Sequence, residues 1–154
     1  MKKVVIALDY SPGAQKVAEA GYAFVKDMQA QVCLVHVVAD AAYYSIDYSP
    51  IMGYEGLNTA HTLQLVEELK GEAGKFLEAS AFHLKGSGIE TRVLEGPPAD
   101  AILEFAGEWG ADLLIMGTHS RSGLEKLLMG NVASNVLKHT HVPLLVIPNR
   151  ETAK

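Results

Sequence analysis

Four short runs of nearly unbroken apolar residues restrict this chain more than any other feature: Val4 to Leu8, Val32 to Val38, Leu113 to Met116 and Val142 to Ile147. A strand that is apolar at every position must be covered on both faces, which is the pattern of a parallel sheet clad in helices. Helix-period segments separate the runs. Ala14, Val17, Ala18, Gly21, Phe24, Val25 and Met28 recur at spacings of three and four. Val66, Leu69, Ala73, Phe76, Leu77, Ser80 and Leu84 form a stripe on a long helix expected from Thr62. Ala99, Ile102, Leu103, Ala106 and Trp109 mark a third helix, and Val132, Val136 and Leu137 a last one that starts at Asn131 and ends near Lys138-His139. Between the second and third helices, Ile89 to Leu94 alternates apolar and polar residues, the signature of a half-exposed edge strand.

Punctuation agrees with this division. Ser11-Pro12 offers an N-cap and a first-turn proline. Gly86-Ser87-Gly88, Gly96-Pro97-Pro98 and Gly110 stop or turn the chain, and Gly71 and Gly74 weaken the long helix by about 1 kcal/mol each relative to alanine. Pro143 lacks a ladder donor and so suits the first residues of the last strand or an edge. One stretch, Asp40 to Gly56, follows neither period. It gathers Tyr43, Tyr44, Tyr48, Tyr54 and Met52, and reads as a packing flap, with a lid or a dimer contact as the alternative.

Strand and helix alternate throughout, which implies α/β architecture. The expected fold is a single-domain, doubly wound, five-stranded parallel sheet of strand order 3-2-1-4-5 with helices on both faces, spanning residues 1–150 with a polar tail at 151–154. A length of 154 residues suits one domain, and 49% hydrophobic residues suffice for a full core. The net charge of −5 argues against nucleic-acid and anionic-membrane partners. No run approaches the length of a membrane span, and the opening Met1-Lys2-Lys3 leads too soon to Asp9 for a signal peptide. The single cysteine, Cys33, sits in an apolar run and reads as a buried hydrophobe without a disulfide partner, so a reducing cytoplasm is expected.

In such a sheet the first and fourth strands are central neighbours, and ligands bind beyond their C-terminal ends, where the strand order reverses. Asp9 and Gly117 fall there. From Gly117 the sequence runs G-T-H-S-R-S-G-L-E-K-L-L-M-G-N-V-A-S to Ser134, a small, polar, glycine-punctuated link from a strand's end to a helix's beginning. Free amides and the positive dipole end at a helix N-terminus are a physical basis for holding phosphate.

Here the chain resembles the universal stress protein family, in its start VVIALDYS, its second strand CLVHVV and the half from EGPPADAILEF to VPLLVIP. The family's nucleotide-binding branch carries glycine, two residues, glycine, nine residues, glycine, then serine or threonine. The matching positions are Gly117, Ser120, Gly130 and Asn131, so Ser120 and Asn131 depart from the pattern. The resemblance implies an adenine nucleotide, ATP or else ADP or AMP with Mg²⁺, in the crevice. Its adenine and ribose end would lie at Asp9 and Val37, and its phosphates along Gly117, His119, Ser120, Arg121, Gly130, Asn131 and Val132. Ala7, Leu8, Met116, Ala133 and Ser134 complete the expected contacts. Ser120 is small but adds a Cβ, whereas Asn131 remains a good N-cap whose amide can donate. The family also implies a homodimer through the last strand, Val142 to Ile147, an apolar edge that invites pairing.

Each residue has a plainer reading. Gly117 and Gly130 could be turn glycines, Asp9 a polar strand end, His119 and Arg121 solvated loop residues, and Ser134 a helix-surface residue. His36 reads as a hydrogen-bonded core residue, and His139 with His141 lacks a third metal ligand. No Walker A, G-x-G-x-x-G, H-E-x-x-H or G-x-S-x-G sequence occurs, and no carboxylate is placed as a base beside the phosphates. The expected function is therefore ATP binding in a stress-response regulatory or signalling module with an unknown protein partner, no catalytic residue, no protein-held metal and at most slow Mg²⁺-dependent hydrolysis. The first alternative is a non-binding dimer that acts through protein contacts, with Ser120 and Asn131 marking lost binding. An enzyme such as a nucleotidyl transferase ranks last because its motifs are missing.

Overall fold

The computed structural model describes residues 2–39, 55–118 and 129–149. Five strands form one parallel sheet: β1 (Lys3–Ala7), β2 (Gln31–Val38), β3 (Glu90–Glu95), β4 (Leu113–Gly117) and β5 (Leu144–Ile147). Their spatial order is β3-β2-β1-β4-β5, as expected from the sequence. Four α-helices occur among the described residues: α1 (Ala14–Val25), α2 (Glu55–Leu84), α3 (Pro98–Trp109) and α4 (Asn131–His139). A short 3₁₀ turn, Lys26–Met28, extends α1.

The apolar runs become central strands because each residue parity feeds a separate core. Val4, Ile6 and Leu8 pack with Val17, Val25 and Leu77 beneath α1 and α2. Val5 and Ala7 pack with Ile102, Ala133 and Val136 beneath α3 and α4. A register slip of one residue would exchange the two sets, so both cores hold the pairing Val4↔Leu113 through Ala7↔Met116. β3 is an edge strand with no fully buried residue, although Arg92 and Glu95 alone are exposed rather than every second position, and it begins at Glu90, one residue later than the pattern suggested. Gly110 closes α3 at φ +77, where its amide donates to the Ala106 and Gly107 carbonyls. Cys33 is fully buried, and burial above all, with Glu90 nearby, pushes its thiol up to about 12.

Several boundaries differ from the sequence reading. β1 ends at Ala7, but the Leu8 amide still donates to the Val35 carbonyl at 2.8 Å, so the ladder contact persists beyond the formal strand. α1 starts at Ala14 with Gly13 as its N-cap and no side-chain cap, so Ser11 does not cap it. Instead the Asp9 carboxylate accepts the Ser11 amide at 2.9 Å, and the Ser11 carbonyl accepts the Ala14 amide. Asp9 thereby stabilises the turn leaving β1. α2 begins at Glu55, inside the stretch expected to be irregular, and passes unbroken through Gly71 and Gly74. Val66, Ala73, Leu77 and Ser80 bury its stripe, and that packing overrides two weak helix formers. Residues 40–54, with the tyrosines, lie outside the described residues. β5 starts at Leu144, since Pro143 cannot donate to the ladder, yet its carbonyl accepts the Leu114 amide.

His36, 7% exposed, donates from Nδ1 to the Leu8 carbonyl at 2.7 Å and packs against the Tyr10 and Phe76 rings. It is a hydrogen-bonded core histidine. Burial holds its pKa below the ordinary 6.5, outweighing the Leu8 carbonyl and Asp9, which favour the cation. Between that lowered pKa and 6.5 the unfolded chain binds more protons than the folded one, so stability rises with pH across this window. The melting temperature should therefore fall as pH drops below 6.5, and His36→Gln should lose part of that fall. Thermal unfolding of both proteins across pH provides the check, and identical pH profiles would contradict it.

Candidate nucleotide site

β1 and β4 lie side by side, but the chain leaves them for opposite faces, toward α1 and toward α4. Beyond their C-terminal ends the two layers separate around a cavity of about 270 Å³. Ala7, Leu8, Asp9, Val37, Met116, Gly117, Val132 and Ala133, all expected from the sequence, line it. Gly130, Asn131 and Ser134 stand beside it at the beginning of α4 without lining it. His119, Ser120 and Arg121 lie outside the described residues.

The wall is largely apolar and suits a flat, poorly hydrated group. Among the described lining residues Asp9 is the one carboxylate, and there is no lysine or arginine. At the other end α4 begins. Gly130 is the N-cap at φ −68 and ψ 165, and Asn131 is the first helical residue rather than the cap expected of it. Gly130 can serve because its amide already donates to the Thr118 carbonyl at 2.6 Å, which orients the turn without a side-chain cap. The first helical bond runs from the Ser134 amide to the Gly130 carbonyl at 2.9 Å. The amides of Asn131, Val132 and Ala133 precede it and are the first-turn donors that helix geometry leaves without a helical acceptor. No acidic residue stands in this turn. The cavity thus meets a helix's positive end through Val132 and Ala133.

Neither glycine is a left-handed turn residue: Gly130 has negative φ, and Gly117 is absent from the positive-φ glycines, which are Gly88, Gly96 and Gly110. Gly117 is bare because Asn149 occupies its side-chain space, a Cβ there falling 2.5 Å from Asn149 Nδ2. Sequence reasoning missed Thr118 and Asn149 on the wall, together with Ala14, Val17, Pro98 and Ile102, and His36, read as a core residue, also lines it. Ala14, Val17 and Ile102 carry the signal of a helix stripe, which marks burial but not a cavity. Asn149 carries no local signal at all. His139 donates from Nδ1 to the Asn135 carbonyl, closing the far end of α4. Among the described residues no cluster of three His, Cys, Asp or Glu could hold a metal ion, and no helix is long and apolar enough to cross a membrane.

Comparison with known proteins places this geometry. The model of the universal stress protein family matches residues 1–148. Universal stress protein MJ0531 of Methanocaldococcus jannaschii is 36% identical, over 97% of this chain and 85% of its own. The solved structure of MJ0577 from the same organism superposes with a TM-score of 0.76 at 26% identity, covering 98% of each chain. A universal stress protein in complex with cAMP shares the fold at a TM-score of 0.62 and 21% identity, covering 97% of this chain and 98% of its own. The chain belongs to the universal stress protein family.

Proposed function

We propose that this protein binds an adenine nucleotide, ATP or its ADP and AMP products, and works as a regulatory or signalling module of the cytoplasmic stress response. The observation that carries the reading is the junction of an apolar cavity with the first turn of α4 at the sheet's midline. The base would occupy the apolar part, with its ribose end at Asp9 and Val37. The phosphates would lie toward Gly117, Gly130, Asn131 and Val132, and toward His119, Ser120 and Arg121 in the connecting sequence. The complex of a family relative with cAMP supports an adenine nucleotide as the ligand class. Mg²⁺ would arrive with the phosphates, since the first turn of α4 offers it no carboxylate. No residue is assigned to catalysis, because no base is positioned at the phosphate end among the described residues and phosphoryl transfer needs a placed nucleophile.

Titration with ATP, ADP and AMP, with and without Mg²⁺, followed by thermal unfolding, tests this reading. A ligand at a hundredfold its Kd should raise the melting temperature by ~5–10 °C. Gly130→Val, whose backbone angles suit any residue, should fold but lose the ATP-dependent rise because its side chain crowds the amides. An absent rise in the wild type, or an unchanged one in the variant, would defeat the phosphate site.

The departures at Ser120 and Asn131 favour a second reading, a non-binding dimer that acts through protein contacts. Both readings share a homodimer through β5, whose edge away from β4 has no partner strand among the described residues. Sedimentation at micromolar concentration should give twice the chain mass, and a monomer would remove the dimer.

A further inference from the structure

Asn149, two residues beyond β5, is 9% exposed although it carries a polar side chain. It fits against bare backbone on two sides. A Cβ on Gly117 would lie 2.7 Å from Asn149 Cγ, and one on Gly13 would lie 2.8 Å from the Asn149 carbonyl oxygen. Gly13 begins α1 and Gly117 ends β4, so one residue spans the two elements that flank the cavity. Asn149 also lines that cavity.

Its carboxamide is tied to Thr118. The Thr118 hydroxyl donates to Asn149 Oδ1 at 3.0 Å, and the Asn149 backbone N–H donates to Thr118 Oγ1 at 3.3 Å. The Thr118 amide donates to the Ile147 carbonyl at 3.0 Å, while its own carbonyl accepts the Gly130 amide at 2.6 Å. A continuous chain of contacts therefore runs from Asn149 through Thr118 to Gly130, the residue that opens α4. The Asp9–Ser11 and Leu8–His36 bonds lie outside this chain of contacts.

We infer that Asn149 is a positioning residue for the phosphate end of the site: through Thr118 it sets where the first turn of α4 stands relative to β4. This inference rests on the nucleotide reading. A neutral carboxamide suits the task, since it accepts the threonine hydroxyl without setting a negative charge beside bound phosphate. The side-chain bond of Asn149 runs to Thr118, while its nearest approach to Gly13 at the α1 end is through its backbone carbonyl, so the consequence is selective. Loss of Asn149 weakens a phosphorylated ligand and spares the bare nucleoside.

Calorimetric titration of the full chain with Mg²⁺-ATP and with adenosine tests it in the wild type and in Asn149→Ala, Asn149→Asp and Thr118→Val. Asn149→Ala and Thr118→Val should each weaken ATP about five- to tenfold and adenosine by less than about twofold. Asn149→Asp keeps the oxygen that Thr118 needs but adds charge, and should weaken ATP at least as much, again sparing adenosine. If Asn149→Ala does not fold, the other two variants decide. Wild-type affinity for ATP in the variants overturns the inference, as does an equal loss of ATP and adenosine, which a merely structural role would give. A wild-type chain that binds neither ligand defeats the nucleotide reading and this inference together, a result distinct from the preceding ones.

Discussion

The pairing of β1 with β4 is the contact on which everything else in this molecule depends. Both strands are buried on two faces, and each alternate residue is committed to one of the separate cores. That commitment fixes which strand can sit beside which. It also forces the chain to leave the pair in opposite directions, to α1 on one face and toward α4 on the other. Two diverging connections cannot fill the space between them, so an opening at the strands' C-terminal ends follows from the topology rather than from any one residue.

What surrounds the opening is held by short-range polar ties. The Leu8 carbonyl takes the His36 ring, the Asp9 carboxylate takes the Ser11 amide, and the Thr118 carbonyl takes the Gly130 amide. Each satisfies a backbone group at the point where the chain departs from regular structure, where an unpaired buried group would be unfavourable by about 1–3 kcal/mol. Asn149 joins the ties on the β4 side to the chain's last strand. The result is a hollow whose described lining is an apolar wall, the Asp9 carboxylate and a helix N-terminus.

Much of this was legible in the residues. The apolar runs identify central strands because complete burial leaves no polar alternation, and their alternation with helix-period segments indicates a parallel, doubly wound sheet. Asp9 and Gly117 at the crevice follow from the same argument. Other features were hidden for physical reasons. The start of α2 at Glu55 was masked by tyrosines, Pro50 and the glycines around them, whose turn-forming tendency says nothing about the stripe that packs further on. The caps at Gly13 and Gly130 were missed because Ser11 and Asn131 have better capping chemistry, whereas the Asp9 carboxylate holds the turn before Gly13 and the Thr118 carbonyl holds Gly130. Gly117 looked like a turn glycine, and its true reason is Asn149, 32 positions away, a contact no local pattern can announce.

The central claim is that the hollow beyond β1 and β4 holds an adenine nucleotide with its phosphates at the beginning of α4. A crystal structure of the protein grown with Mg²⁺-ATP addresses it most directly. The account predicts the base among the apolar residues near Val37, the ribose within reach of Asp9, and phosphate oxygens at hydrogen-bonding distance from the first-turn amides of α4. Density for the nucleotide elsewhere, or a hollow closed by the side chains of Ser120 or Asn131, would contradict it.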